Sequence, residues 1–300
     1  AAARAEILTS FAAGQTGGDP DPVTRRDAQR SPDWDAWRAA EVEELKALWD
    51  LGCFEFVTRG EARRRGMKVL LHNKLVYKRK PTRLKGRLVV CGTAEAKSAL
   101  DSSSVCRMES VRMLFAIHAS SACAIELIDV CNAFICAPMP TDRPVFTTMP
   151  KAMDLGFLNS ANIPTPAGCK SATWTDEMRD SHVLQCHRGI YGLRRSPKLW
   201  QDHLTQYLLD EGFERLEADP CVFKRGLLYV AAYVDDLAAF CAEPQLVKQF
   251  MARIQTRFKC RYYGACTNFL GCNVHRSSDT ITLSQEDYIQ SLSDRRRGAR

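Results

Sequence analysis

Tyr233-Val234-Asp235-Asp236 constrains this chain more than any other stretch. It interrupts an apolar run, Leu227 to Val234, that resumes after the acids as Leu237-Ala238-Ala239-Phe240-Cys241. Two short runs rich in aliphatic and aromatic residues, split by adjacent carboxylates, predict a β-hairpin with the acids at its tip. Like charges beside a buried sheet are costly unless something positive neutralises them. One reading is an acidic turn in water, because Asp is a common turn residue. The sharper reading is a divalent cation. Hard carboxylate oxygens suit Mg²⁺, which takes one or two carboxylates and completes its shell with water and phosphate oxygens.

A third carboxylate favours the cation. Ile125-Glu126-Leu127-Ile128-Asp129 is another strand-like run ending in an acid, with Phe134 five positions later. Asp129-Val130-x-x-Ala133-Phe134 and Tyr233-Val234-Asp235-Asp236 resemble the first and third palm motifs of a reverse transcriptase of the Ty1/copia retrotransposon type. Between them, Tyr191-Gly192-Leu193-Arg194-Arg195-Ser196-Pro197-Lys198-Leu199-Trp200 is similar to that family's second motif, a Tyr-Gly-Leu-Lys-Gln-Ala-Pro-like stretch. Three motifs in the right order are far more specific than one. Further likenesses are the Trp37 to Leu45 helix followed by Cys53 to Val57, Lys85-Gly86-Arg87-Leu88-Val89, Pro144 to Pro150, Asn268-Phe269-Leu270-Gly271 and Ser284-Gln285-x-x-Tyr288-Ile289. The resemblance runs from about Trp34 to about Leu292.

The resemblance implies an α+β fold of the right-hand polymerase kind: fingers, a palm with an antiparallel sheet, and a truncated thumb. It implies an RNA-directed DNA polymerase that adds dNTPs to a primer with two Mg²⁺ (or Mn²⁺) ions. Asp129 and Asp235 would bridge both ions, Asp236 would contribute more weakly, and Val130 would offer its backbone carbonyl. Phe134 falls where the family places its steric gate against a 2′-hydroxyl. Tyr191 and Gly192 would line the nucleotide pocket, with Arg194 close to the phosphates. Lys78, Lys80, Lys85 and Arg87 are the finger cations for the triphosphate, whose negative charge grows during transfer. The implied partners are an RNA/DNA primer–template, dNTPs, and other domains of a parent polyprotein such as ribonuclease H and integrase. The implied location is a cytoplasmic virus-like particle or the nucleus. Plain core packing is the alternative role for Phe134 and Tyr191.

This sequence also departs from the pattern. Arg194-Arg195 stands where the family has Lys-Gln, and Cys136-Ala137 where it has Asn-Gly. Ser103-Ser104-Val105-Cys106 replaces a Phe-Ala-Pro-Val run. These changes keep a second reading open: a catalytically decayed relic that binds primer–template without extending it. A two-metal nuclease is the third, and it has no use for a basic finger hairpin.

Charge supports a polyphosphate partner. From Arg59 to Arg87 there are twelve Lys/Arg against Glu61 alone, so the rest of the chain is net −4 within a total of +7. Such a stripe is an electrostatic footprint for nucleic acid or triphosphate, or else a solvated face or localisation signal. Thirteen cysteines without a Cys-x-x-Cys pair, mostly single in apolar runs, read as free thiols in a reducing compartment. No apolar run approaches the ~20 residues of a membrane span.

Residues 1–30 lack periodicity and are expected to be disordered. The polymerase segment is expected over 31–294, with residues 151–184 as a surface insertion and 295–300 as a basic tail. Ser31-Pro32-Asp33 predicts the start of the first helix and Gly52 its end. Helices are also predicted at 196–211 and 245–258, and Ser284 with Asp287 is spaced as a capping box. His118 reads as a core residue. Cys169, His182, Cys186 and His187 can be drawn as a zinc site, but their spacing matches no standard finger.

Overall fold

The computed structural model describes residues 20–80, 82–95, 98, 101–120, 122–161, 163 and 176–298. In chain order the elements begin with helices α1 (Arg25–Arg30) and α2 (Trp34–Asp50), strand β1 (Phe54–Thr58) and helix α3 (Arg59–Arg64). Strands β2 (Leu70–Leu71), β3 (Asn73–Arg79) and β4 (Leu84–Val90) lead to helix α4 (Met108–Ile117) and strand β5 (Ala124–Val130). Then come α5 (Ala133–Cys136), β6 (Val145–Thr147), α6 (Leu155–Ser160), α7 (Asp176–Ser181), β7 (His182–Cys186) and α8 (Ser196–Asp210). Strands β8 (Glu214–Arg215), β9 (Val222–Arg225), β10 (Leu228–Tyr233) and β11 (Asp236–Cys241) precede helix α9 (Pro244–Arg257). Strands β12 (Cys260–Ala265), β13 (Asn268–Phe269), β14 (Cys272–Arg276) and β15 (Ile281–Ser284) end in helix α10 (Glu286–Gly298).

The chain divides into two compact units. One is built on Ser103–Ala133 and Trp200–Arg300. Its six-stranded sheet has the order β12-β5-β11-β10-β9-β8, antiparallel throughout. Helix α4 buries Val111, Leu114 and Phe115, a spacing of three and four that puts all three on one face. Phe115 meets Phe240 of β11 edge-on at 5.2 Å. Helix α9 buries Val247, Phe250, Met251 and Ile254 by the same periodicity. His118 is buried, its Nδ1 2.9 Å from the Leu114 carbonyl oxygen, as a core residue should be.

The other unit is built on Gly17–Ser102 and Phe134–Leu199. It holds the sheet β1-β7-β6-β2, parallel only between β2 and β6, and the separate hairpin β3–β4. Strand alternation splits the hairpin cleanly. Leu75, Tyr77 and Leu88 enter the core with Trp37, Leu45 and Leu48 of α2, while Lys74, Val76 and Lys78 lie opposite Val89, Arg87 and Lys85 on the other face. The architecture is therefore mixed α and β, with sheets almost wholly antiparallel.

Several expectations need correction. Residues 1–19 lie outside the described residues, but 20–30 are ordered and contain α1. Thr24 and Asp27 form its capping box, and Arg25 donates from Nε and Nη2 to Glu41 at 2.9 and 3.1 Å. Glu41 is fully buried, so its carboxylate needs donors. Arg25, Arg38 and Tyr77 supply them. A partner sixteen positions away leaves no local trace, which is why composition alone misread the segment.

The supposed surface insertion at 151–184 is largely core where it is described. Ala152, Met153, Phe157, Leu158, Ala161 and Ile163 are buried, and Arg179 donates to the carbonyls of Pro150, Lys151 and Met153. Residues 164–175 lie outside the described residues. The first long helix starts at Trp34, so Pro32 precedes it, and Ser31 Oγ accepts from the Asp33 backbone N–H. Ser284 ends β15 and its buried Oγ has no hydrogen-bond partner among the described residues, so the capping box with Asp287 does not form. Helix α10 extends through Gly298, into the region expected as a tail.

Candidate active site

The predicted hairpin exists and its tip is two residues long. Strands β10 and β11 pair from Tyr229↔Phe240 to Tyr233↔Asp236, leaving Val234 and Asp235 as the turn. Val234 adopts φ +57°. Two-residue hairpins need a left-handed residue there, usually Gly or Asn, and a β-branched side chain in that region is strained. Such strain persists only where the surroundings over-determine it. Here both turn carbonyls are held from outside the hairpin. Val130 N–H of β5 donates to the Asp235 carbonyl at 2.8 Å. Trp200 Nε1 of α8 donates to the Val234 carbonyl at 2.5 Å.

The sheet register then assembles the acids. Asp236 on β11 lies directly opposite Asp129 on β5. Residues opposed in an antiparallel pair share a face, with Cβ atoms about 4.5–5.5 Å apart. Asp235 follows Val234 at the tip, its backbone bonded to Val130, the residue after Asp129. All three predicted carboxylates, and Val130 with them, therefore gather at one end of β5 and β11.

Arg261, which sequence reasoning missed, extends the row. On edge strand β12 it lies opposite Asp129 from the other side, giving Asp236, Asp129 and Arg261 across three strands. Its basicity is raised by a hydrogen bond with Tyr263 and by nearby ionisable groups including Asp129. The signal was invisible beforehand because it depends on which strand pairs with β5. Next to it the register slips between Tyr262 and Gly264, a bulge at Tyr263 that leaves both tyrosines about half exposed.

The predicted pocket residues of the other unit form a stack. Phe134 meets Tyr191 edge-on at 5.7 Å, and the Arg87 guanidinium sits over the Tyr191 ring at 4.8 Å. The Tyr191-Gly192 segment is docked on the end of β4. Val90 N–H donates to the Tyr191 carbonyl at 2.8 Å, and a Cβ on Gly192 (φ +91°) would collide with the Val90 carbonyl oxygen. Gly192 is therefore required by close approach as well as by conformation.

The remaining predicted cations divide. Lys78 pairs with Asp21 at 3.2 Å. Burial, then the neighbouring Arg87, lowers the Lys85 pKa, and Glu44 opposes them. Lys80 is exposed at the end of the hairpin. Arg194 uses its guanidinium to hold the carbonyls of Gly92 and Thr93, and its backbone N–H donates to Glu95. Arg195 is buried in an ion pair with Glu95 and donates to the Arg143 carbonyl. The second-motif departure is thus accommodated by an acid a hundred positions upstream.

The zinc drawing fails where it can be read. His182 is bonded to Ser181, His187 to Glu55, and Cys186 is buried with its thiol pushed far from ionisation by burial. Cys169 lies outside the described residues. Among the described residues no three His, Cys, Asp or Glu side chains converge closely enough to cage a metal ion. The Asp129, Asp235 and Asp236 donor set nevertheless fits Mg²⁺ in kind. These are hard oxygens on two adjoining strands and the turn beside them, without a closed cage, as befits an ion that takes few carboxylates and leaves positions for water and phosphate.

Comparison with known proteins follows the same residues. A family model for reverse transcriptase (RNA-dependent DNA polymerase) matches residues 54–296. A transposon Ty5-1 protein of Saccharomyces cerevisiae is 30% identical over 167 residues, covering 54% of this chain and 47% of its own length. The retrovirus-related Pol polyprotein from transposon TNT 1-94 of Nicotiana tabacum is 24% identical across 92% of this chain and 20% of its own. That from transposon RE1 of Arabidopsis thaliana is 28% identical across 70% and 13%. The chain thus spans less than half the length of each of these relatives.

Proposed function

Because the chain belongs to the reverse transcriptase (RNA-dependent DNA polymerase) family, in its copia-type branch, we propose that it copies RNA into DNA as one segment of a retrotransposon polyprotein. The observation that carries the reading is the register that sets Asp129 opposite Asp236 with Asp235 on the strained turn beside them. In this reading the antiparallel six-stranded sheet is the palm of a right-hand polymerase, the basic hairpin β3–β4 belongs to the fingers, and the C-terminal elements form a short thumb. The ribonuclease H and integrase of the parent polyprotein are its natural partners, and a virus-like particle its setting.

Asp129 and Asp235 would hold the two divalent ions, with the Val130 carbonyl beside them and Asp236 as a weaker contact. When bound, these ions lower the pKa of the primer 3′-hydroxyl and offset the charge of the leaving pyrophosphate. The chain's own residues do the rest. Finger cations Lys78, Lys80, Lys85 and Arg87 draw the triphosphate in by charge. Arg194, already anchored on the Gly92 and Thr93 carbonyls, adds positive charge near Tyr191 and Gly192. Phe134, fixed edge-on against Tyr191, serves as the gate that leaves no room for a 2′-hydroxyl.

Primer extension on a homopolymer RNA template with Mg²⁺ or Mn²⁺ tests the reading. Extension by the parent chain, lost in Asp235→Asn, supports it. A chain that binds primer–template and extends nothing is the decayed relic instead.

A further inference from the structure

We propose that Trp200 is the positioning residue of the acidic turn: its indole N–H fixes the Val234 carbonyl, and so sets the orientation in which Asp235 meets a divalent cation. The inference rests on the metal-binding reading of Asp129 and Asp235. Hairpin strands alone do not hold a β-branched residue at φ +57°. Two consecutive turn carbonyls each accept a hydrogen bond from a different element. The Asp235 carbonyl is tied to β5, which carries Asp129, and the Val234 carbonyl is tied to α8 through Trp200.

The donor itself is immobilised. Trp200 is 1% exposed, and its ring meets Phe258, the C-cap of α9, edge-on at 5.3 Å. Phe258 in turn packs edge-on against Tyr207 at 5.2 Å and His203 at 5.7 Å, both on α8. Leaving a buried indole N–H unpaired costs free energy, and here its partner is the carbonyl of the residue preceding Asp235. Rotation of the Val234–Asp235 peptide plane would break this bond and change the backbone angle φ from which the Asp235 side chain projects. Trp200 touches no reacting atom in this role; it acts through the backbone of the turn.

Trp200→Phe keeps a ring against Phe258 and removes only the donor, whereas Phe258→Leu loosens the packing and keeps the donor. Amide hydrogen exchange over residues 232–237 reads the turn without any turnover. Mn²⁺ titration followed by electron paramagnetic resonance reads the metal site. In Trp200→Phe, exchange across the turn should rise, and the Mn²⁺ dissociation constant with it, by about tenfold, the effect of one lost hydrogen bond. Extension should slow at saturating nucleotide while KM for the deoxynucleotide stays put. Phe258→Leu should leave the turn's exchange close to that of the parent.

Parent-like exchange in Trp200→Phe overturns the proposal. So does an equal loosening in Phe258→Leu, which would make Trp200 a packing residue only. A parent chain that neither binds Mn²⁺ nor extends a primer sinks the polymerase reading instead, while the exchange measurement still decides whether Trp200 sets the turn.

Discussion

In the proposed polymerase Asp235 and Phe134 would do different work although both belong to family motifs, and substitution separates them. Asp235 carries charge at the hairpin tip, so Asp235→Asn should reduce primer extension by several orders of magnitude with folding intact, as circular dichroism would register. Phe134 is 8% exposed and packed on Tyr191, so as a proposed gate it would act through shape. Phe134→Ala should lower discrimination against ribonucleotides, because selectivity is a difference between two affinities and the 2′-hydroxyl alone distinguishes the sugars. It should also lower stability by about 3–5 kcal/mol, the usual range for emptying a buried aromatic site. An unchanged ribonucleotide ratio in an extending enzyme would remove the gate assignment. The identities of these residues were legible in the sequence, whereas their supports were not. Trp200 read as the last residue of the second motif and part of the 196–211 helix, with no link to the acidic turn, and Arg261 did not read at all.

Among the elements, the basic hairpin β3–β4 and helix α1 give contrasting tests. Lys74, Lys78, Lys85 and Arg87 share one hairpin face, and Lys80 follows at its end. Replacing Lys78, Lys80, Lys85 and Arg87 together by Ala should flatten the salt dependence of nucleic-acid binding. Each lost phosphate contact removes about 0.7–0.9 from the log–log slope. An unchanged slope would leave the patch to solubility or localisation. Helix α1 is held by Arg25 on the buried Glu41. Arg25→Ala should lower stability by about 1–3 kcal/mol in urea unfolding, since a buried carboxylate loses two donated bonds. Thr24→Ala should cost about 1 kcal/mol through its cap. No effect of Arg25→Ala would show that water replaces the arginine without loss.

Across the whole molecule, buried thiols set an alkaline limit. Burial pushes the pKa of Cys53 and of Cys266 up to about 12, and raises that of Cys186 further still. In the unfolded chain a thiol ionises near pH 8.5. The folded-state values are raised, so the stabilisation is complete below about pH 8.5 and is lost as pH climbs toward the folded values. Each such thiol should subtract about 1.4 kcal/mol per pH unit within that window. Denaturant midpoints should therefore hold level from pH 7 to 8 and drop from pH 9 to 10.5. The Cys53→Ala, Cys186→Ala, Cys266→Ala triple variant should show a shallower drop. A wild-type midpoint flat to pH 10.5 would mean that these thiols reach water in the folded protein.

What the sequence by itself determined is local or periodic. Apolar runs split by acids specified the β10–β11 hairpin, the stretches 196–211 and 245–258 specified helices α8 and α9, and the three motifs specified the family. These signals survive in one dimension because a strand alternates and a helix repeats within a few residues. Tertiary structure decided whatever depends on a distant partner. Pairing of β5 with both β11 and β12 placed Asp236 and Arg261 on either side of Asp129. Glu95 made room for Arg195, Glu41 ordered α1, and Trp200 took the carbonyl of a turn thirty-four positions away. For Glu41, Glu95, Arg195 and the Trp200 indole the reason is burial: removed from water, each polar group had to be satisfied by whichever segment the fold brought beside it.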